Sequence, residues 1–482
     1  MKFVVALFTG VLLFAVGCQS PGTKAENSVT VTPGTPSSLA KTGLSEKDVI
    51  DAYVYLMGRY LVIRQERIDT GEQNIGYNKI KYNPLGQVNA LNPNLDVVSF
   101  ESWIAVDDKN CQVLVIPPIK DRYHTVQIMD EWAQVVENIN ERTHPEHPDG
   151  RFAFCMKGAG ETPANAYRIE VPWKKAKIVG RIERKGGDAE TVRLQKSFKM
   201  VANKNVDVEL AQKIPMFTNA DLITTEAFEY PMVEAVLTSA PDSMKVAPEM
   251  QRKVRVIAAY AARSDENKSQ IEDLLRSKAL PQFKRYLSDF GDRKGGWSST
   301  ATYDRGFAED YWFRTAANYG GIWWNVSREV AHFVSLKDPE DQPLHGDSSY
   351  LIYFSKAALP RDQVNAFWSL TLLSAPDFKV VRNEYQRYKL GSANNLTYGR
   401  DGSLTLIVGA RPKGDIPLSN WIPGPPGKEF SLNLRMYAPK ESVLSGQWFA
   451  PPLVKVQGFD LPKTSQRETI RVGGTNESSV SK

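Results

Sequence analysis

Residues 430–437 read Phe-Ser-Leu-Asn-Leu-Arg-Met-Tyr. Phe430, Leu432, Leu434 and Met436 share one side of an extended chain, and Ser431, Asn433, Arg435 and Tyr437 share the other. Successive side chains of a strand point to opposite faces, so this run predicts a sheet with one buried and one solvated side. Similar strand-like runs occur at 350–354, 367–371 and 403–408. An earlier group occurs at 103–106, 113–116, 123–129 and 178–182, bounded by Pro, Gly and Asp. Many short strands with such turns are most simply satisfied by sandwiches of antiparallel sheets.

Helical patterning separates and precedes these regions. Ser45 and Asp48 have the spacing of a capping box, and Val49, Tyr53, Leu56, Tyr60 and Ile63 follow as one apolar stripe. In the middle of the chain, 254–262 and 271–275 read as helices. Pro281 is expected to divide the second of these from 283–290, because proline lacks the N–H a helix interior needs. Two further helices are expected at 308–318 and 323–333. The fold class is therefore mostly β with a helical middle segment.

The N-terminus constrains location. Lys2 precedes an apolar run from Phe3 to Val16, interrupted only by Thr9 and Gly10. That run is shorter than the ~20 residues of a membrane-spanning helix and has the length of a signal-peptide core. It ends in Ala15-Val16-Gly17-Cys18, which resembles the lipobox of bacterial lipoproteins. The resemblance implies a lipid on Cys18, loss of the preceding peptide and, with Gln19 rather than Asp next, an outer-membrane location facing the periplasm or the cell surface. Several acyl chains on one residue, at about 0.8 kcal/mol per buried methylene, make release slow. The Ser-, Thr- and Pro-rich stretch that follows has too little apolar surface to order itself, and reads as a tether of about 30 Å reach. The tail from Lys463 has the same character.

With Cys18 lipidated, Cys111 and Cys155 remain, both beside strand-like runs. In an oxidising compartment they are either a disulfide or two buried thiols, and their spacing alone does not decide between the two. Charge is balanced: 60 Lys and Arg oppose 55 Asp and Glu, and one of the cations, Lys2, leaves with the signal. No nucleic-acid partner is expected from that balance. The densest basic stretch, Lys174, Lys175, Lys177, Arg181, Arg184 and Lys185, is read as a solvated face.

Further motifs in the second half resemble domain-of-unknown-function family 1214: Ala366-Phe-Trp-Ser-Leu-Thr371, Arg387-Tyr388, Asp401-Gly-Ser403, Asn420-Trp-Ile-Pro423 with Pro425, Leu434-Arg-Met-Tyr437 with Pro439, and Trp448 with Pro451-Pro452. The first half resembles the companion family 1254 through Arg122-Tyr123, Gln127, Asp130, Arg142-Thr143, Gly158 with Gly160, Gly180-Arg181 and Gln195. After Arg142-Thr143 this chain departs from the family pattern with His144-Pro-Glu-His147-Pro-Asp149, and His345-Gly346 stands where Asp-Gly is commoner. The resemblance implies two β-sandwich (jelly-roll-like) domains around a helical segment, and no established chemistry. The organisation expected is a signal peptide over 1–17, a tether over 18–44, an N-terminal β-rich domain over 45–215, a helical linker over 216–300, a C-terminal sandwich over 301–462 and a disordered tail over 463–482.

Catalytic signatures are absent from the sequence. It has no Gly-x-Ser-x-Gly elbow and no His-Glu-x-x-His helix, and the start of a dinucleotide loop at Gly158-Ala-Gly160 fails at Pro163. His144 and His147 form the only paired histidines, and two prolines disrupt their spacing, so no metal and no cofactor is expected. His124, His332 and His345 are read as isolated structural or surface residues. One set in the second half mixes aromatic faces with fixed polar groups: Trp368, Arg387, Tyr388, Asp401, Asn420, Trp421 and Arg435. Converging on a groove, it would bind a glycan or lipid component; otherwise it is core packing and structural ion pairing. The expectation is an envelope lipoprotein, held to the membrane by its lipid, that binds or scaffolds a surface component. The alternative is a hydrolase of an envelope polymer. Whether the chain is an enzyme, and its oligomeric state, stay open at this point.

Overall fold

The computed structural model describes residues 39–71, 75–86, 94–303, 306–375, 378–410 and 417–456. Cys18, the signal, most of the tether and the tail lie outside these residues. Among the described residues, nineteen strands form four sheets, accompanied by a few helices.

The first sandwich pairs a five-stranded sheet with a four-stranded one. The larger sheet runs Lys81–Tyr82, Val97–Ala105, Lys175–Glu183, His124–Met129 and Val135–Ile139 in spatial order. The smaller runs Tyr167–Val171, Gly150–Met156, Gln112–Ile116 and Lys199–Val201. Alternation explains the core: Phe100, Ile104, Val126, Ile128 and Ile178 meet Leu114, Phe152 and Phe154 between the sheets. Gly180 lies opposite Phe100, and a Cβ there would meet the Phe100 ring at 2.0 Å, so the ring requires a glycine beneath it. Cys111 and Cys155 face each other across paired strands with Cα atoms 4.4 Å apart, and their sulfurs are joined.

The second sandwich is built likewise. Its six-stranded sheet runs Asp292–Lys294, Trp297–Ser299, Val330–Ser335, Phe430–Tyr437, Trp368–Ser374 and Lys389–Gly391. Its four-stranded sheet runs Trp421–Pro423, Leu404–Gly409, Ser349–Phe354 and Leu453–Val456. Phe333, Leu370, Leu432, Leu434 and Met436 pack inward against Tyr350, Ile352, Leu406 and Val408.

The helices form a third body. Helix Glu46–Gly71 begins with the expected capping box: Ser45 N donates to Asp48 Oδ2 at 2.9 Å, and Asp48 N to Ser45 Oγ at 3.2 Å. Its apolar stripe packs among helices Ala247–Ala261, Asp265–Leu274 and Tyr311–Gly320. Its opposite face is buried against the first sandwich and carries Arg59 and Glu66. Among the described residues no helix is long and apolar enough to cross a membrane.

Several expectations are corrected. Pro281 does not divide a helix: the chain stays helical from Asp265 to Asp289 through a π turn at Leu275–Ala279, which widens the turn ahead of the proline. Residues 323–333 are not a helix, because Val330–Ser335 pairs with Phe430–Tyr437 in the sheet. Helix Glu46–Gly71 packs with the helical body although it was grouped with the N-terminal domain. Strands Asp292–Lys294 and Trp297–Ser299 join the second sandwich although they were grouped with the linker.

Half of the basic stretch is also not a solvated face, whereas Lys174, Arg184 and Lys185 keep their exposure. Lys175, Lys177 and Arg181 alternate onto one side of strand Lys175–Glu183, and all three meet partners distant in sequence. Lys175 Nζ bonds Glu66 Oε1 at 2.8 Å and approaches Glu131 Oε1 at 3.3 Å. Lys177 Nζ bonds Asp69 Oδ2 at 2.6 Å and Glu101 Oε2 at 2.8 Å.

Candidate functional site: the seam between the two sandwiches

Strand Phe430–Tyr437 has both faces buried. Its apolar side lines the second core as expected. Its polar side is covered by the outer face of the five-stranded sheet of the first sandwich, so two polar sheet faces meet and bury most of their side chains. Burying polar groups is tolerated only where each finds a partner, so the seam is a directional network.

At one end Glu329, almost fully buried, accepts from Arg142 Nη2 at 2.6 Å, Asn140 Nδ2 at 3.1 Å and Tyr123 OH at 3.3 Å. Burial pushes the Glu329 carboxyl above its ordinary range, with Arg142 opposing. Burial and then Glu329 push the Tyr123 hydroxyl well up. The Arg142 guanidinium also stands over the Tyr123 ring at 4.9 Å. Tyr123 meets Tyr437 edge-on at 5.3 Å, and Tyr437 stacks on Phe367 at 4.1 Å.

At the other end the Tyr437 hydroxyl accepts from Asn94 Nδ2 at 2.9 Å and donates to Asp96 Oδ2 at 3.1 Å. Asp96 also pairs with Lys389 and accepts from Ser369 Oγ. Burial works against the Asp96 charge, yet Lys389 and then Arg435 hold its carboxyl below the usual range. Between the ends, Asn138 and Asn325 exchange amide bonds of 3.0 and 2.8 Å, and Gln127 Nε2 donates to Trp324 O at 2.6 Å.

The seam opens to solvent as a notch of about 340 Å³ beside Glu329. Arg142, Arg328 and Lys440 bring cations to it, Glu441 a second carboxylate, and Asn365 an amide. That lining suits a polar ligand that carries negative charge alongside hydroxyls. Among the described residues, no group of three His, Cys, Asp or Glu side chains is placed to hold a metal ion. His144 and His147 instead pack their rings on Tyr167, at 5.6 and 5.4 Å.

The seven residues singled out from the sequence do not line one groove. Trp368 points inward with Met436, buried in the second core. Trp421 is also buried, donating Nε1 to Gly409 O at 3.1 Å with the Tyr385 ring 5.1 Å away. Asn420 ties Thr397 N at 2.8 Å to Thr405 O at 2.9 Å. Asp401 accepts from Ser403 N at 3.0 Å within its own turn. Arg387 donates to Trp421 O at 3.2 Å, and half-buried Tyr388 accepts from Leu372 N at 3.1 Å through its backbone. Only Arg435 reaches the seam, where it donates to Thr371 Oγ1 at 3.2 Å. The cause is the period of two along a strand: Trp368 and Arg435 lie on neighbouring strands, one facing inward and one outward.

The residues that do converge were visible mainly as family markers: Tyr123, Gln127, Arg142 and Arg181 from the first half, Arg435 and Tyr437 from the second. Glu329, Arg328, Asn365 and Lys440 carried no signal in the sequence. His332, read as isolated, lies in the same seam.

No curated protein matches the chain. The crystal structure of the VPA0106 protein from Vibrio parahaemolyticus is similar in fold, with a TM-score of 0.60 at 19% identity, over 86% of this chain and 100% of that one. That of an uncharacterized protein from Burkholderia cenocepacia aligns at a TM-score of 0.41 and 10% identity, over 87% of this chain and 97% of that one. Two family models match, both described as proteins of unknown function. The chain therefore carries a DUF1254 region at residues 77–202 followed by a DUF1214 region at 329–441, and the candidate site lies where the two meet.

Proposed function

We propose that this protein is a cell-envelope lipoprotein, anchored through Cys18, that binds a polar surface component in the notch at the domain junction. The ligand class is a glycan or lipid headgroup bearing an anionic group. The observation that carries this reading is the notch itself: both family regions line it, with cations from Arg142, Arg328 and Lys440 around a buried carboxylate. The anchor rests on the sequence alone.

The test uses the purified full chain and three probes: an oligogalacturonate, a neutral dextran oligomer, and vesicles of phosphatidylglycerol compared with phosphatidylcholine. Binding of the oligogalacturonate or of the anionic vesicles, weakened about tenfold or more by Lys440→Glu at unchanged melting temperature, is the expected result. Equal binding of the dextran, or an unchanged affinity in Lys440→Glu, overturns it. For the anchor, Cys18→Ser is expected to abolish fatty-acid labelling and release the protein from membranes.

A hydrolase of an envelope polymer is the second reading, favoured by one observation. Two carboxylates line the same notch, and burial favours the protonated form of one, Glu329, as a general acid requires. New reducing ends released from an acidic envelope glycan by the protein, and not by folded Glu329→Gln, would establish it.

A further inference from the structure

We infer that the centre of the seam, away from the notch, is a binding site for a small oxyanion taken up together with a proton on His332. The strand register sets the geometry. On the outer face of the six-stranded sheet, His332, Arg435 and Ser369 lie level across three paired strands. On the facing sheet Arg181 lies level with Ser99 and Thr125.

Arg181 is the central observation. Its Nη1 donates to Gln127 Oε1 and its Nη2 to Trp323 O at 2.8 Å, both neutral oxygens, and its Nε has no partner among the described residues. After Tyr123 and Tyr437, the carboxylates Glu101 and Glu329 act on its charge. Glu101 is engaged by Lys177, and Glu329 by Arg142. A guanidinium withdrawn from water without its own counter-ion is unfavourable, and burial lowers its pKa accordingly. Arg181 and His332 each keep a small share of solvent access.

His332 completes the site. Its Nδ1–H donates to Asn433 Oδ1 at 3.2 Å, and Nε2 has no partner among the described residues. Burial, then the charges of Arg435 and Arg181, push the imidazole down to about 3, so it is neutral with a lone pair on Nε2. Tyr123, Tyr437, Asp96, Glu329, Arg142, Lys389 and Arg435 are other charged or titratable groups of the seam, and each already has the partners described above. An oxyanion accepting from Arg181 Nε–H would face the Nε2 lone pair and be repelled by it. One proton from solvent, added to Nε2, turns that repulsion into a second donated bond, and no other bond changes.

Sulfate is the probe, because it brings no proton of its own near neutral pH, and chloride is the control. Titration calorimetry of the full chain at about pH 5, in two buffers of different protonation enthalpy, should show close to one proton taken up per sulfate. Affinity should tighten up to about tenfold for each pH unit lowered between about 6 and 4. Arg181→Met should weaken sulfate at least about tenfold.

Because Arg181→Met leaves Gln127 Oε1 without its donor and is at risk of misfolding, a second measurement uses the native protein. Histidine 13C resonances, with His332 assigned by its loss in His332→Gln, should show this ring titrating from about 3 toward its ordinary range when sulfate is added. Preference for acetate over sulfate would keep the site and narrow its ligand to carboxylates. Absence of binding by either anion, binding without proton uptake, or a His332 titration indifferent to the bound anion overturns the inference.

Discussion

The core of the second sandwich and the seam against the first share a single strand and are buried to a similar degree, yet they are made of opposite materials. Leu432, Leu434 and Met436 face a wholly apolar core. Asn433, Arg435 and Tyr437, alternating with them, face Thr371, His332 and Asp96. Apolar burial is non-directional and scales with area, so the core holds its sheets together without choosing among closely similar packings. Buried polar groups contribute little net stability but penalise every arrangement that leaves them unpaired, so the seam fixes how the two sandwiches sit on each other. The core stabilises, and the seam selects.

The sharpest break in that comparison comes from truncating each side of the same region. Trp368→Ala empties part of the core and is expected to cost about 3–5 kcal/mol, read as a large drop in the urea midpoint. If Trp368→Ala leaves the midpoint nearly unchanged, the core assignment is wrong. In the seam, Arg142→Met strands the buried Glu329 and should cost about 3 kcal/mol, while Arg142→Met with Glu329→Leu should recover part of that loss. A double variant as unstable as the sum of its single changes would show that the pair contributes no coupling.

A pH test follows from the second polar layer, between helix Glu46–Gly71 and the first sandwich. Burial pushes Glu131 up to about 7 against Arg59 and Lys175, whereas Glu101, also buried, is held down at about 2 by Lys177. The signs are opposite. Glu131 holds its proton more tightly when folded, so its contribution is complete below its ordinary value near 4.5 and is lost as pH rises through about 7. Glu101 contributes above about 4.5, and its contribution is lost as pH falls toward 2. Melting temperatures should therefore decline between pH 5 and 8 by the equivalent of about 2 kcal/mol. Glu131→Gln should flatten much of that decline, although Asp130, pushed up by burial to about 6, keeps some of it. A decline that Glu131→Gln leaves intact assigns it elsewhere. The smallest effect is expected from Ser369→Ala, which removes one hydrogen bond to Asp96 while Lys389 and Tyr437 remain; urea melts should register about 1 kcal/mol.

Much of the architecture was legible from local pattern. The alternation in 430–437, the capping box at Ser45 and Asp48, and the short strands of both halves are properties of neighbouring residues, and neighbouring residues decide them. The motifs of the two families were legible too, down to Gly180, whose need for a bare backbone under Phe100 only the strand pairing explains. The candidate site was not. Alternation says that two faces differ, and a polar face reads as solvated because water is the commonest partner for Ser, Asn and Arg.

That inference failed in the same way at two places. Lys175 and Lys177 are buried under Glu66, Asp69 and Glu101, and the polar side of Phe430–Tyr437 lies beneath the other sandwich. In each case the partner that replaces water is far away along the chain: Arg142 and Glu329, which hold the mouth of the notch, are 187 residues apart. The sequence by itself determined where several strands lie, 430–437 above all, and which of their faces is apolar, but it read the strand Val330–Ser335 as helix. Tertiary structure alone decided what covers the polar faces, because a charge is satisfied by whatever stands opposite it in space, and spacing along the chain carries no record of that.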